Sequence, residues 1–95
     1  MRSYELMFII KPDLEEEATT AIVDKFSGLI AEQGGNVTNL DKWGKRRLAY
    51  EVNGFNDGYY VLVNFQGEPK AVKEVERQLK ISDDVIKHMI IKLDD

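Results

Sequence analysis

The order in which strand-like and helix-like segments follow one another constrains the fold of this chain more than any other feature. Two segments carry an apolar residue every three or four positions, which is typical of amphipathic helices, and the others are apolar or alternating runs that are typical of strands. We predict a strand at 6–10, a helix that ends at Gly34-Gly35, an extended segment at 36–52, a strand at 59–65, a helix from Pro69 that ends within 81–84, and a strand at 85–93.

The order β-α-β-β-α-β allows few topologies. Crossover connections between parallel strands are almost always right-handed, so both helices lie on one face of a four-stranded sheet with the strand order 4-1-3-2. This arrangement is the ferredoxin-like α+β sandwich, with the second and fourth strands at the edges. A length of 95 residues is typical of one domain, so we expect residues 1–95 to form a single ferredoxin-like domain.

The first helix has a predicted start and a predicted apolar stripe. Asp13 is the expected N-cap, with Glu16 at the third helical position to complete a capping box. Because the glycine pair follows this helix instead of preceding it, we interpret the pair as a C-cap and not as a phosphate-binding loop. The stripe recurs every four residues, at Leu14, Ala18, Ile22, Phe26 and Ile30, with Ala21 and Leu29 beside it.

The extended segment 36–52 changes its alternation near the middle. Val37 and Trp43 stand at odd positions, whereas Leu48, Tyr50 and Val52 stand at even positions. A regular strand cannot place both sets on one face, so we predict a bulge near Gly44. Strands usually have about 5–6 residues, so this segment is expected to project beyond its partner. The hairpin turn is expected at Gly54 and Asn56-Asp57-Gly58, and Asp94-Asp95 is expected to fray.

The two faces of the sheet differ in composition. Alternation in the first strand places Tyr4, Leu6, Phe8 and Ile10 toward the helices. Single apolar residues on a surface are normal, but several on neighbouring strands form a patch, which suggests a protein partner. The face away from the helices is expected to carry such a patch, composed of Met7, Ile9, Tyr60, Leu62 and Ile91.

Residues that could support catalysis are scarce. The chain has no cysteine, which excludes disulfides, thiolate metal sites and cysteine nucleophiles. The one histidine, His88, lies in an apolar strand, where a structural or surface role is expected, and the serines lie in no nucleophile motif. We therefore expect no enzymatic activity, no cofactor, no metal and no small-molecule substrate. No run of about 18 apolar residues exists, so no membrane association is expected, and a cytoplasmic location follows by default.

Charge is unevenly distributed although the net charge is only −4. Residues 13–17 hold four acids, whereas residues 42–47 hold four bases and no acid. We interpret the acids as favourable charges at a helix N-terminus and not as a metal site. The bases, beside Trp43 and followed by Tyr50, suit phosphate contact with stacking. They equally suit an edge strand that is protected by charge against aggregation. The residues alone leave both interpretations open.

An RNA-recognition motif is a weaker alternative within the same topology. That motif places stacking aromatics in its third strand after a basic residue and a glycine. Gly58 and Tyr59 fit the pattern, but Asp57 replaces the basic residue and Val61 replaces the central aromatic.

Four segments together resemble the bacterial ribosomal protein S6 family. They are residues 1–5, MRSYE; 43–50, WGKRRLAY; 58–62, GYYVL; and 84–92, DVIKHMIIK. The resemblance spans the chain, and its Gly-basic-basic-x-Leu-Ala-Tyr block is the most specific part. It implies a structural protein of the small ribosomal subunit. Such a protein binds the central domain of 16S rRNA together with ribosomal protein S18, and has no enzymatic activity.

The resemblance also implies site residues. The RNA-binding candidates are Arg2, Lys45, Arg46, Arg47, Lys87 and Lys92. We expect Met7, Ile9, Trp43, Tyr50, Tyr60 and Leu62 to contact the protein partner. Glu51 departs from the proline that is common after the Leu-Ala-Tyr triplet, which removes a rigid edge residue and adds a negative charge. The alternative function is a small-molecule-binding regulatory module of the same topology, which offers no role for Lys45, Arg46 and Arg47.

Overall fold

The computed structural model describes residues 1–93, so the predicted fraying of Asp94-Asp95 lies outside the described residues. The elements are β1 (Arg2–Ile10), α1 (Glu16–Glu32), β2 (Asn36–Val52), β3 (Phe55–Gly67), α2 (Pro69–Ile81) and β4 (Val85–Lys92). The four strands form one sheet in the order β2-β3-β1-β4, and every neighbouring pair is antiparallel. The predicted ferredoxin-like topology is confirmed.

The core lies between the sheet and the two helices. Alternate residues of the central strands β1 and β3 face the helices, and their burial keeps a large apolar area from water. The Tyr4 and Phe65 rings stack on neighbouring strands of the sheet, with centroids 5.5 Å apart. Phe8 of β1 contacts Phe26 of α1, with ring centroids 5.4 Å apart, and so joins the sheet to the helix layer. The most deeply buried side chains include Leu6, Phe8, Ile10, Phe26, Ile30, Val61, Val63, Phe65, Val75 and Leu79.

The start of α1 differs from the prediction. The N-cap is Glu15 instead of Asp13, and no side chain caps the helix, so the predicted capping box is wrong. Residues 12–14 form a turn, from which Leu14 packs against the core. The end of α1 agrees with the prediction, because the Gly34 and Gly35 N–H groups donate to the carbonyls of Ala31 and Ile30 at 3.0 and 2.9 Å. These are the paired hydrogen bonds of a Schellman cap.

The buried face of α1 also differs from the predicted stripe. Ala18 and Ala21 are exposed. A helix has 3.6 residues per turn, so a strict four-residue spacing drifts around the helix and cannot stay on one face. The side chains that are buried in α1 belong to Thr19, Val23, Phe26 and Ile30.

The β2–β3 hairpin is longer than predicted. Val52 pairs with Phe55 across Asn53 and Gly54, whose φ angles of 50° and 84° are both positive. A two-residue turn with two positive φ angles is the type I′ turn that fits strand twist. The predicted turn residues Asn56-Asp57-Gly58 therefore belong to β3, which begins before the predicted residue 59.

The predicted projection of β2 takes a different form. β2 does not extend beyond β3, but β3 pairs with β1 only from Tyr59 onward. Residues 45–58, here called the projecting hairpin, thus extend from the end of the central strand as a two-stranded ribbon. The ribbon curls over the open face, where Leu48 packs beside Gly58 and Ile86. Ile9 lies under this contact and is only 3% exposed.

Candidate nucleic-acid interface

A bulge in β2 sets the directions of the basic side chains. Lys42 pairs with Val61 and Gly44 with Tyr60, so Trp43 is the extra residue, which confirms the bulge predicted near Gly44. Gly44 has a φ of 84°, a left-handed conformation that glycine adopts without steric cost. After the bulge, Arg46 pairs with Gly58 on the open face of the sheet.

The basic side chains of the projecting hairpin line a shared cleft. Lys45, Arg46 and Arg47 border an open cavity of about 500 Å³. Its other lining residues are Pro12, Asp13, Phe55 and Asp57. In the part of the chain that the structure describes, none of the three cations forms an ion pair. Three unpaired cations against two carboxylates leave the cleft able to accept an anionic group such as a phosphate.

A second cavity, of about 450 Å³, lies on the open-face side of the bulge. It is lined by Asp41, Lys42, Trp43 and Arg46. The indole N–H of Trp43 donates to the Asp41 carboxylate at 3.1 Å, and Arg46 Nε donates to the Trp43 carbonyl at 3.4 Å. The Trp43 and Tyr60 rings are stacked, with centroids 6.3 Å apart and an interplanar angle of 11°.

Lys87 is joined to the projecting hairpin. Its ammonium donates to the Tyr50 hydroxyl at 2.8 Å and lies 4.8 Å from the centroid of the Tyr50 ring. β4 and β3 flank β1 on opposite sides, so this contact spans the central strand and ties the hairpin to the far edge of the sheet.

The other two RNA-binding candidates lie elsewhere. Arg2 pairs with Gly67, and Lys92 pairs with Tyr4, at the end of the sheet opposite to the projecting hairpin. β1 separates Arg2 from Ile10 by about 27 Å at the usual rise of a strand. The structure therefore brings together Lys45, Arg46, Arg47 and Lys87, but not Arg2 and Lys92.

Of the six residues predicted to contact a protein partner, five are accessible on the surface and one is not. Met7, Tyr60 and Leu62 share the open face and are half-buried, and Trp43 and Tyr50 are exposed. Ile9 is covered by Leu48 and Ile86 and is unavailable, because the curl of the hairpin brings a distant strand over it.

Sequence reasoning missed other members of the open face. Met7 pairs with Met89, so Met89 shares its face. The exposed Ile91, opposite Glu5, lies on the open face as the sequence predicted. The period-two alternation of β4 could have identified Met89. A polar row follows toward the far end of the face: the Asn39 amide donates to Asn64, whose own amide donates to the Glu5 carboxylate at 3.3 Å.

No group of three or more His, Cys, Asp or Glu side chains in residues 1–93 could hold a metal ion. The largest pKa shift among the described residues belongs to Glu74 on α2. Hydrogen bonds from Arg77, the larger cause, and from Gln78 lower its pKa to about 2. No helix among the described residues is long and apolar enough to span a membrane.

Comparison with known proteins identifies the class. The family model described as ribosomal protein S6 matches residues 3–92. The small ribosomal subunit protein bS6 of Moorella thermoacetica is 59% identical over 95 residues, which cover 100% of this chain and 97% of that protein. The protein of the same name from Desulforamulus reducens is 55% identical over 92 residues, covering 97% of each.

A solved structure agrees with these relatives. The crystal structure of 30S ribosomal protein S6 from Thermotoga maritima superposes with a TM-score of 0.93 at 29% identity, covering 97% of this chain and 87% of that one. The chain belongs to the ribosomal protein S6 family. It is thus a small-subunit ribosomal protein of the cytoplasm, which confirms the resemblance and favours it over a small-molecule-binding module.

Proposed function

We propose that this protein is a non-enzymatic structural component of the small subunit that binds the central domain of 16S rRNA jointly with ribosomal protein S18. Its relatives are named as small ribosomal subunit proteins, which supports the ribosomal role. The observation that carries the RNA-binding part is the projecting hairpin. It presents Lys45, Arg46 and Arg47 beyond the rest of the sheet, without ion pairs among the described residues.

The charge of the whole chain is compatible with this role. Phosphate contacts come from local cations, and the distribution of charge matters more than the net value of −4. An interface of about 3–5 phosphate contacts gives a shallow salt dependence and weak affinity for the protein alone. Joint binding with a partner supplies the remaining affinity. Arg2 and Lys92 would contact RNA only if it also reached the opposite end of the sheet.

The open face supports the partner part of the proposal. Met7, Tyr60 and Leu62 form its centre, and Met89 and Ile91 extend the same surface onto β4. Their burial against ribosomal protein S18 would stabilise the pair by roughly 25 cal/mol per Å² before the costs of association. The outer edge of β2 adds unpaired backbone groups to which an extended partner segment can hydrogen-bond.

A charge-reversal experiment tests RNA binding. We expect Arg46→Glu combined with Arg47→Glu to abolish joint binding of a central-domain rRNA fragment in gel shifts with ribosomal protein S18 present. Any residual binding should have a salt slope smaller by about 2, one for each lost phosphate contact.

The control for this experiment carries the same change of charge at another place. Lys70→Glu with Lys73→Glu alters two exposed cations of α2 and should leave binding nearly unchanged. Wild-type affinity and slope in the Arg46/Arg47 variant would exclude the projecting hairpin from RNA contact.

A second experiment tests the partner surface. Leu62→Asp places a charge at the centre of the open face without altering the helix-facing core. We expect it to weaken binding of ribosomal protein S18 by about 30-fold or more in calorimetry, equivalent to about 2 kcal/mol, the scale of an interface hot spot.

Gln66→Asp is the matched control for Leu62→Asp. Gln66 is exposed on the same strand and face, about 14 Å away at the usual strand rise. It should have little effect. Equal effects of the two variants would place the partner elsewhere.

A further inference from the structure

The indole of Trp43 is exposed and yet fixed in place. Its side chain is 42% exposed, although one ring face stacks on Tyr60 and its N–H is held by the Asp41 carboxylate. An aromatic ring whose orientation is already set loses little conformational entropy when a ligand stacks on it. Trp43 is therefore preorganised to present a flat surface.

Cations stand at the edge of this surface. Lys42 and Arg46 line the same 450 Å³ cavity, and Arg46 is held next to the indole by its hydrogen bond to the Trp43 carbonyl. The carboxylate in this cavity, Asp41, is engaged by the indole N–H. A stacking surface with adjoining cations is the combination by which proteins bind unpaired nucleotides, because every base has a π face and every nucleotide a phosphate.

We propose that Trp43 stacks an unpaired nucleobase of the bound RNA, with the phosphate of that nucleotide against Arg46 and Lys42. This inference rests on the proposed RNA-binding function and assigns Trp43 to RNA instead of to the protein partner. Charged and polar groups border the exposed side of the indole, whereas the apolar centre of the open face lies beyond Tyr60, on β3 and β1. A protein anchor of tryptophan would instead enter an apolar, fully desolvated pocket.

The composition of the chain makes the site directly observable. Trp43 is the only tryptophan, so its fluorescence reports on this position alone. The sample is the complex that this protein forms with ribosomal protein S18. It is titrated in one experiment with single-stranded octauridylate and in another with an RNA duplex of equal length. The Trp43→Phe variant provides the background signal from the partner. We expect the single strand to quench Trp43 fluorescence and the duplex to leave it nearly unchanged, since paired bases offer no free face.

Binding measurements with two variants complete the test. Trp43→Leu should weaken single-strand binding about fivefold or more, the lower end of the stacking contribution of one base. Its salt slope should be unchanged because no phosphate contact is lost. Trp43→Phe keeps a stacking ring and should retain most of the affinity.

The outcomes separate this inference from the proposed function. If Trp43→Leu binds RNA as wild type does while the Arg46/Arg47 variant does not, the stacking site is refuted and the RNA-binding function stands. A loss of affinity for ribosomal protein S18 without a loss for RNA would assign Trp43 to the protein interface and also refute the inference. If the wild-type complex binds no RNA, the proposed function fails, and the stacking site fails with it.

Discussion

Gly58 provides a sharp test of how the projecting hairpin is joined to the sheet. It is buried in β3, and a Cβ atom at this position would overlap with Cγ2 of Ile9. The same Cβ would lie 3.5 Å from Leu48 Cδ2 and 3.6 Å from Ile86 Cδ1, which are ordinary contacts. The close approach of Ile9 is therefore the one that decides the effect of Gly58→Ala.

The surroundings of Ile9 prevent an inexpensive adjustment. Its side chain is 3% exposed and β-branched, so few alternative rotamers are open to it. β1 is hydrogen-bonded to a strand on each side, which holds the Ile9 backbone in place. Overpacking in a site of this kind costs about 1–3 kcal/mol. Replacing a strand glycine otherwise recovers about 0.5–1 kcal/mol. The net expectation for Gly58→Ala, taken from the middle of the two ranges, is a loss of about 1 kcal/mol.

Gly28→Ala makes the identical chemical change in a different environment. Gly28 lies within α1 and is exposed, and an added Cβ would meet no heavy atom within 4 Å. We expect a gain of about 0.5–1 kcal/mol, the difference in helix propensity between alanine and glycine.

Urea denaturation followed by circular dichroism measures both variants against the wild type. The two free-energy changes should have opposite signs. A Gly58→Ala protein as stable as the wild type, beside a stabilised Gly28→Ala protein, would show that Ile9 does not restrict the space at Gly58.

Two further predictions concern charged groups. Arg77→Met should raise the pKa of Glu74 from about 2 toward 4.5, because it removes the Arg77 hydrogen bonds, the largest cause of the lowered value, while the Gln78 hydrogen bond remains. Lys80→Met should not change this pKa, and an NMR carboxyl titration checks both variants. Since the folded-state pKa is depressed, the stabilisation from this pair is present above pH 4.5 and is lost as the pH falls toward 2. Lys87→Met should accelerate amide hydrogen exchange in the projecting hairpin, because it removes the contact with Tyr50. The control Lys92→Met, on the same strand, should leave exchange unchanged. Equal exchange rates in the wild type and both variants would show that Lys87 does not restrain the hairpin.

The features that sequence could predict are those determined by local pattern. The order of elements followed from periodicity alone. The change of parity between Trp43 and Leu48 was sufficient to place the bulge, because side chains alternate strictly along a strand. Pro69 at the first turn and the apolar residues that follow were sufficient to place α2.

The features that could not be predicted depend on contacts between distant segments. Alternation places Ile9 on the open face correctly, but its burial depends on Leu48 and Ile86, which lie far away in the chain. The start of α1 depends on how Leu14 packs against the core, which outweighed the capping preference of Asp13. Local propensity is a weak guide wherever tertiary packing opposes it.

The same long-range packing changes the interpretation of charge. In the sequence the acids of 13–17 and the bases of 42–47 appear as separate regions, but the fold brings them to one end of the molecule. Asp13 and Asp57 border the cleft of Lys45, Arg46 and Arg47, and Glu16 shares a cavity with Lys45. Carboxylates thus offset the positive charge on the helix side of the projecting hairpin.

On the open-face side Asp41 is already bound to the indole of Trp43, and Arg46 borders the cavities of both sides. A polyanion would meet the least repulsion by approaching over Trp43 and Arg46, next to the apolar surface proposed for the protein partner. RNA and partner would then form one continuous interface, which would account for the proposed joint binding by a chain with a net charge of −4.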